Sequence, residues 1–138
     1  MIIDATNIIV GRMASFVAKK ALLGEDINIV NCEKAMMTGN KKEILQRYKE
    51  KRKIKAPRKG PYMYRMPDRF VKRIIRGMLP YKKEKGKRAY KNIKCYIGIP
   101  EKFANQKFET VPKANITKVP NLRYIAVQEI CKSIGGNI

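Results

Sequence analysis

The chain has no histidine and no tryptophan, and only 11 of its 138 residues are acidic. Without imidazole it lacks the side chain best suited to exchanging protons near neutrality, so acid–base catalysis would fall to carboxylates, lysines or cysteines. The few acids form no obvious pair. The three cysteines, Cys32, Cys95 and Cys131, are odd in number, far apart, and without a histidine to complete a metal set. They read as small, reduced core residues. No run of about eighteen apolar residues is present to span a bilayer. The opening MIIDATNIIVG carries an acid and no basic stretch, unlike a signal peptide. These absences point to a cytoplasmic chain that is not an enzyme and has no metal, cofactor, small-molecule substrate or membrane partner.

What the chain has is positive charge: 32 Lys and Arg, for a formal net of +21. A hydrophobic fraction of 44% suffices for a core, and the length fits one domain over residues 1–138. Such an excess of like charge opposes a compact state unless a polyanion neutralises it, and nucleic acid is the partner that fits. The charge is also concentrated. Residues 1–46 hold 6 basic and 5 acidic groups, residues 47–94 hold 20 and 3, and residues 95–138 hold 6 and 3. A nearly neutral apolar frame therefore brackets a basic middle, as expected of a folded platform with an RNA-facing insertion.

The frame reads as alternating strands and helices. MIIDA predicts a short packed strand, and Met13, Val17 and Ala21 with Ala14, Ala18 and Leu22 predict a helix from Gly11 to Leu23, stopped by Gly24. INIV at 27–30 is a second strand, and a second helix is expected from Asn40 to Lys55. The clearest element is a helix opening at Pro67 and ending at Leu79, before Pro80. Phe70, Val71, Ile74, Ile75, Met78 and Leu79 form its apolar stripe; Arg69, Lys72, Arg73 and Arg76 lie opposite. NIKCYIGI, residues 92–99, predicts a third strand, and a last helix is expected from Leu122 to Ile134. The stretch from Phe103 to Pro120, with Pro112 and Pro120, reads as an extended connector. Apolar strands alternating with helices imply an α/β class: a three-layer α/β/α sandwich around a mainly parallel sheet.

Two acids invite a catalytic reading. Asp4 and Glu33 follow parallel strands, at the ends where ligands of such sheets bind, yet both can equally cap helices or pair with Lys34 and Lys41. TGNKKE, residues 38–43, lacks the second glycine and the hydroxyl residue of a nucleotide phosphate loop. It does put backbone N–H groups, Lys41 and Lys42 at a helix start, a reasonable seat for one RNA phosphate.

From Lys49 to Arg65 the chain reads KEKRKIKAPRKGPYMYR, with Arg52, Arg58 and Lys59 among its cations and Tyr62 and Tyr64 interleaved. Lysines neutralise phosphates as point charges, arginines add planar bidentate contacts, and tyrosines can stack on unpaired bases, a combination suited to irregular RNA. The tyrosines could equally pack on the domain. Lys51 to Tyr64 offers too little apolar surface to offset its ordering, so it should be mobile until RNA orders it. YKKEKGKR at 81–88 reads as a second basic loop, supplying Lys82, Lys83, Lys85, Lys87 and Arg88.

KGPYMYRMPDRFVKRIIRGMLPYKKEKG resembles the signature of the universal large-subunit ribosomal protein family thirteen, in its archaeal and eukaryotic branch. IIDATNIIVGRMASFVAKKALLG, with Asp4, Gly11 and Arg12 at matching places, resembles that family's first strand and helix. INIVNCEKAMMTGN resembles the family as well, and Gly77, Met78, Leu79 and Pro80 form its most specific short string. The resemblance runs from Met1 to about Pro100 and weakens beyond. The histidine-bearing central loop of the bacterial branch is absent, which favours an archaeal source. The resemblance implies a four-stranded parallel sheet, the fourth strand being Lys34 to Thr38 or the tail. It further implies large-subunit ribosomal RNA and neighbouring ribosomal proteins as partners. Carried over onto matching positions, Arg12, Lys41, Arg65, Arg69, Arg73, Arg76, Lys82 and Lys83 would face RNA. The alternative is a free RNA-binding translational regulator using the same basic surface.

Overall fold

A computed structural model describes residues 1–54, 56–120 and 123–138. In chain order the elements are β1 (Ile2–Asp4), α1 (Val10–Leu22), β2 (Ile27–Val30), β3 (Met36–Thr38), α2 (Lys41–Lys53), α3 (Pro67–Gly77), α4 (Glu84–Lys91), β4 (Ile93–Cys95), β5 (Tyr124–Ala126) and α5 (Val127–Ser133). The class is α/β, as the alternation of elements predicts.

β1, β2 and β4 form a parallel sheet in that order, with Ile3 beside Ile29 and Ile27 beside Ile93. Successive side chains leave a strand on opposite faces. Ile3, Ile27, Ile29 and Ile93 therefore share one face, where they pack with Met13, Ala14 and Val17 of α1 and Phe70, Val71 and Ile75 of α3. Ile2 and Val30 point the other way and are covered by Phe103, Tyr96 and Phe108. The layer over that second face is thus built from the connector and from Tyr96, just after β4, in place of the helices expected there. A long crossing segment with few apolar residues can seal a short sheet because only two side chains need covering.

The fourth strand divides the two candidates in an unforeseen way. Residues 36–38 and the tail residues 124–126 are both extended, but β3 and β5 pair with each other, antiparallel, in a separate ladder with Met36 opposite Ala126. The outer edge of β1 is filled by Glu109 of the connector. Its N–H donates to the Ile2 carbonyl at 2.8 Å, and Asp4 N–H donates to the Glu109 carbonyl at 3.1 Å.

Several boundaries differ from expectation. α5 begins at Val127; the predicted start at Leu122 lies outside the described residues, as does the predicted end of α2 at Lys55. Tyr124 and Ile125, good strand formers, bond to β3 instead of continuing the helix backwards. The strand predicted over 92–99 is regular only from Ile93 to Cys95, after which the chain bends through Gly98 at φ +63°. Residues 84–91, which include most of the basic loop expected over 81–88, form α4. Gly86 and Ala89 are buried on its inner side, and a Cβ on Gly86 would run into the Pro80 carbonyl. That close approach, legal only for glycine, seats the helix.

Pro67 occupies the first turn of α3 with Asp68 beside it, as predicted. Its apolar stripe is narrower than the spacing suggests. Phe70, Val71, Ile75 and Leu79 are buried and Ile74 half-buried, but Met78, past the end of the helix at Gly77, is 42% exposed, its sulfur accepting from Ser15 Oγ of α1 at 3.5 Å. The thiols of Cys32 and Cys131 are buried and that of Cys95 half-buried, all three free.

Candidate nucleic-acid interface

The basic middle segment folds as α2, an irregular strap over residues 56–66, α3, a tight turn and α4, so its cations ride on three helices and one loop. Arg69 and Arg73 lie on the exposed side of α3, one turn apart. Arg76 follows them and is held: its guanidinium sits 4.5 Å from the centre of the Tyr81 ring. Lys72 is held likewise, 4.7 Å from the Tyr90 ring, and the two rings meet edge to face at 5.3 Å. Burial raises the Tyr90 pKa above its ordinary value. Cation–π contacts of this kind fix long side chains that would otherwise lose rotamer freedom on binding a phosphate.

The strap turns tightly at its tip. Ala56 N–H donates to the Gly60 carbonyl at 3.1 Å, Lys59 N–H donates to the Ala56 carbonyl at 3.2 Å, and Arg58 takes the left-handed φ of +63°. Arg58 and Lys59 therefore stand at an exposed apex. Arg65 is exposed where the strap enters α3, its carbonyl in close approach to Gly136 of the tail. Arg52 is half-buried, its guanidinium lying over Gly135. Tyr62 is 77% exposed and Tyr64 43%, so neither is a core residue, although Tyr64 is more than half covered by the domain. Lys82 and Lys83 precede α4, while Lys85, Lys87 and Arg88 are exposed on it, Arg88 within 3.5 Å of Glu84.

The remaining candidates lie apart. Lys41 and Lys42 open α2, roughly 15 Å along its axis from Arg52. The Asn40 side chain caps this end by accepting from Lys42 N–H at 3.2 Å, and the Lys41 ammonium pairs with Glu129 of α5, not with Asp4 or Glu33. A shallow depression joins Gly39, Lys41 and Lys42 to Arg123, a cation that reading the sequence missed. Only the β3–β5 pairing brings Arg123 there, and nothing local announces that pairing. Lys72 was placed on the α3 face but not among the binding residues; its i+4 partner Arg76 was the available signal. Arg12 donates to the Lys113 carbonyl at 3.2 Å, tying α1 to the connector.

The two carboxylates at strand ends are engaged by the fold itself. Asp4 Oδ1 accepts from Thr6 N–H at 3.0 Å, Thr6 Oγ1 at 2.7 Å and Asn31 Nδ2 at 2.9 Å. Partial burial opposes ionisation, but these hydrogen bonds outweigh it and hold the carboxyl below its ordinary pKa. Glu33 accepts Gly98 N–H with both oxygens, at 3.1 and 3.3 Å. Both acids therefore fasten loops at the sheet's carboxyl end. Among the described residues no group of three or more potential ligands could hold a metal ion, and no helix is long and apolar enough to cross a membrane.

Residues 1–102 match the protein family described as Ribosomal protein L13. The chain is similar to proteins named large ribosomal subunit protein uL13 from three archaea. It is 41% identical to that of Archaeoglobus fulgidus, over 97% of this chain and 86% of the relative. Identity is 44% with that of Methanococcus maripaludis, over 98% and 97%. With that of Methanocaldococcus jannaschii it is 43%, over 97% and 96%.

Proposed function

Since the chain belongs to the ribosomal protein L13 family, we propose that it is a structural constituent of the large ribosomal subunit in the cytoplasm, not an enzyme. In this reading it binds and stabilises large-subunit ribosomal RNA during assembly and in the mature particle, as one domain of residues 1–138. Neighbouring ribosomal proteins are its other partners, and it takes no cofactor or small-molecule substrate. The observation that carries the reading is the display of cations: 20 of 32 basic residues fall in 47–94, and most of those named above are exposed. Arg69, Arg73 and Arg76 on α3, Arg58, Lys59 and Arg65 on the strap, and Lys82, Lys83, Lys85, Lys87 and Arg88 around α4 would neutralise phosphates along a folded RNA. Tyr62 and Tyr64 would meet unpaired bases. Arg12, Lys41, Lys42 and Arg52 would add contacts from their separate places.

Neutralising phosphates releases condensed counterions, so affinity should fall with salt by about 0.7 to 0.9 logarithmic units per phosphate contacted. Titration of a large-subunit RNA fragment over a range of salt should give a log–log slope of several units, lowered by about one in Arg73→Ala. A slope near zero would exclude the mechanism.

A further inference from the structure

Between the end of α2, the strap and the exposed side of α3 lies a cavity of ≈ 370 Å³. Its floor is Phe70 with Tyr48 edge-on at 5.2 Å, and its outer wall is Tyr62 and Tyr64. Ile54 closes one end and is 65% exposed. Three large apolar side chains thus stand open to solvent around one hollow, inside the most highly charged stretch of the chain. Isolated exposed apolar residues need no explanation, but a cluster lining a concavity marks a binding site.

The rim identifies the occupant. Lys51, its ammonium 5.3 Å from the Tyr48 ring, and Arg73 line the cavity, and among the described residues no carboxylate does. An apolar protein side chain would use the rings and leave both cations unanswered. A nucleoside carrying its phosphates uses both: the base between aromatic faces, the charge on the rim. We propose that this cavity receives one unstacked RNA nucleoside, splayed out of its strand, whose base packs against Tyr62 and Tyr64 while Lys51 and Arg73 hold its flanking phosphates. The inference rests on the RNA-binding reading above. It adds a fixed point for a single base where phosphate neutralisation alone would leave the strap free to slide. Apart from Lys51 and Arg73, the polar side-chain groups among the described lining residues are tyrosine hydroxyls, so stacking strength, favouring purines, weighs most in which base enters.

The test compares the full chain's affinity for a short single-stranded oligoadenylate with that for an abasic analogue of equal length and charge, at fixed salt. The intact protein should prefer the base-bearing strand. Tyr62→Ala with Tyr64→Ala should lower that preference by about 5- to 150-fold, the range one aromatic–base stack supplies. The salt slope should stay unchanged, and the phenylalanine versions should restore the preference. Both tyrosines are exposed, so the variants should fold, and far-UV circular dichroism checks this. Equal binding of the two strands by the intact protein overturns the inference, as an apolar partner side chain in the cavity would require, while leaving RNA binding in place. Preference retained by the double alanine variant overturns it too. Failure to bind either strand overturns the RNA-binding reading itself.

Discussion

Replacing Ile75 by alanine should separate the two faces of α3. Ile75 is 0% exposed and belongs to the cluster that joins Val17 of α1 to Ile29 and Ile93 of the sheet. The substitution removes three carbons from a site walled by a helix on one side and a sheet on the other, which limits collapse into the void. Buried Ile to Ala changes cost about 2 to 5 kcal/mol, and this enclosure argues for about 3 to 4. For a domain of this size that lowers Tm by about 10 °C or more, within a total stability of about 5 to 15 kcal/mol. The variant should therefore still fold. Arg73→Ala, on the exposed face, should stay within about 0.5 kcal/mol of the parent, and Met78→Ala should cost about 1 kcal/mol or less. Urea unfolding followed by circular dichroism, in enough salt to screen the cations, reads the difference directly. Binding should show the reverse: Ile75→Ala should hold RNA normally well below its Tm, and Arg73→Ala should hold it more weakly. Equal losses of stability for Ile75→Ala and Arg73→Ala would refute a helix that buries one face and binds with the other.

Gly86→Ala should displace α4 through its clash with the Pro80 carbonyl, costing about 1 to 3 kcal/mol and weakening RNA binding; parent-like melting and affinity would contradict this. The Asp4 carboxyl has a pKa held below its ordinary value of 3.8, so its contribution is complete above that value and lost as pH falls through the lower folded one. Stability should therefore decline below about pH 4, and less so in Asp4→Asn, as acid titration of the unfolding midpoint will show. Hydrogen bonding with Cys95, then burial, raises the pKa of the Cys32 thiol, and burial raises that of Cys131 to about 12, so iodoacetamide at neutral pH should label them only after denaturation. Limited trypsin digestion of the free protein should cut after Arg58 and Lys59 at the strap's apex, and RNA should suppress those cuts.

The sequence legible as structure was that with local periodicity or punctuation. Pro67 and Asp68 announced α3, and the Ala–Val–Met spacing announced α1, because each buries one stripe on one neighbour. α4 was hidden because its buried positions are Gly86 and Ala89: a glycine reads as a break until the Pro80 carbonyl beside it is known. The β3–β5 ladder was hidden because its partners lie about ninety residues apart, with Tyr124 to Ala126 running straight into a helix. The charge distribution marked the stretch where exposed cations gather, since surface Lys and Arg are legible from composition alone. It could not separate Arg69 and Arg73, which stand free on α3, from Arg12, which also ties α1 to the connector, or from Lys41, which meets Glu129.

If this chain is a working part of the large ribosomal subunit, sucrose-gradient fractionation of the source cell, probed for this protein, should find it in the large-subunit, whole-ribosome and polysome fractions, released only by high salt. Its confinement to the soluble fractions at the top of the gradient would contradict that role and favour a free RNA-binding regulator.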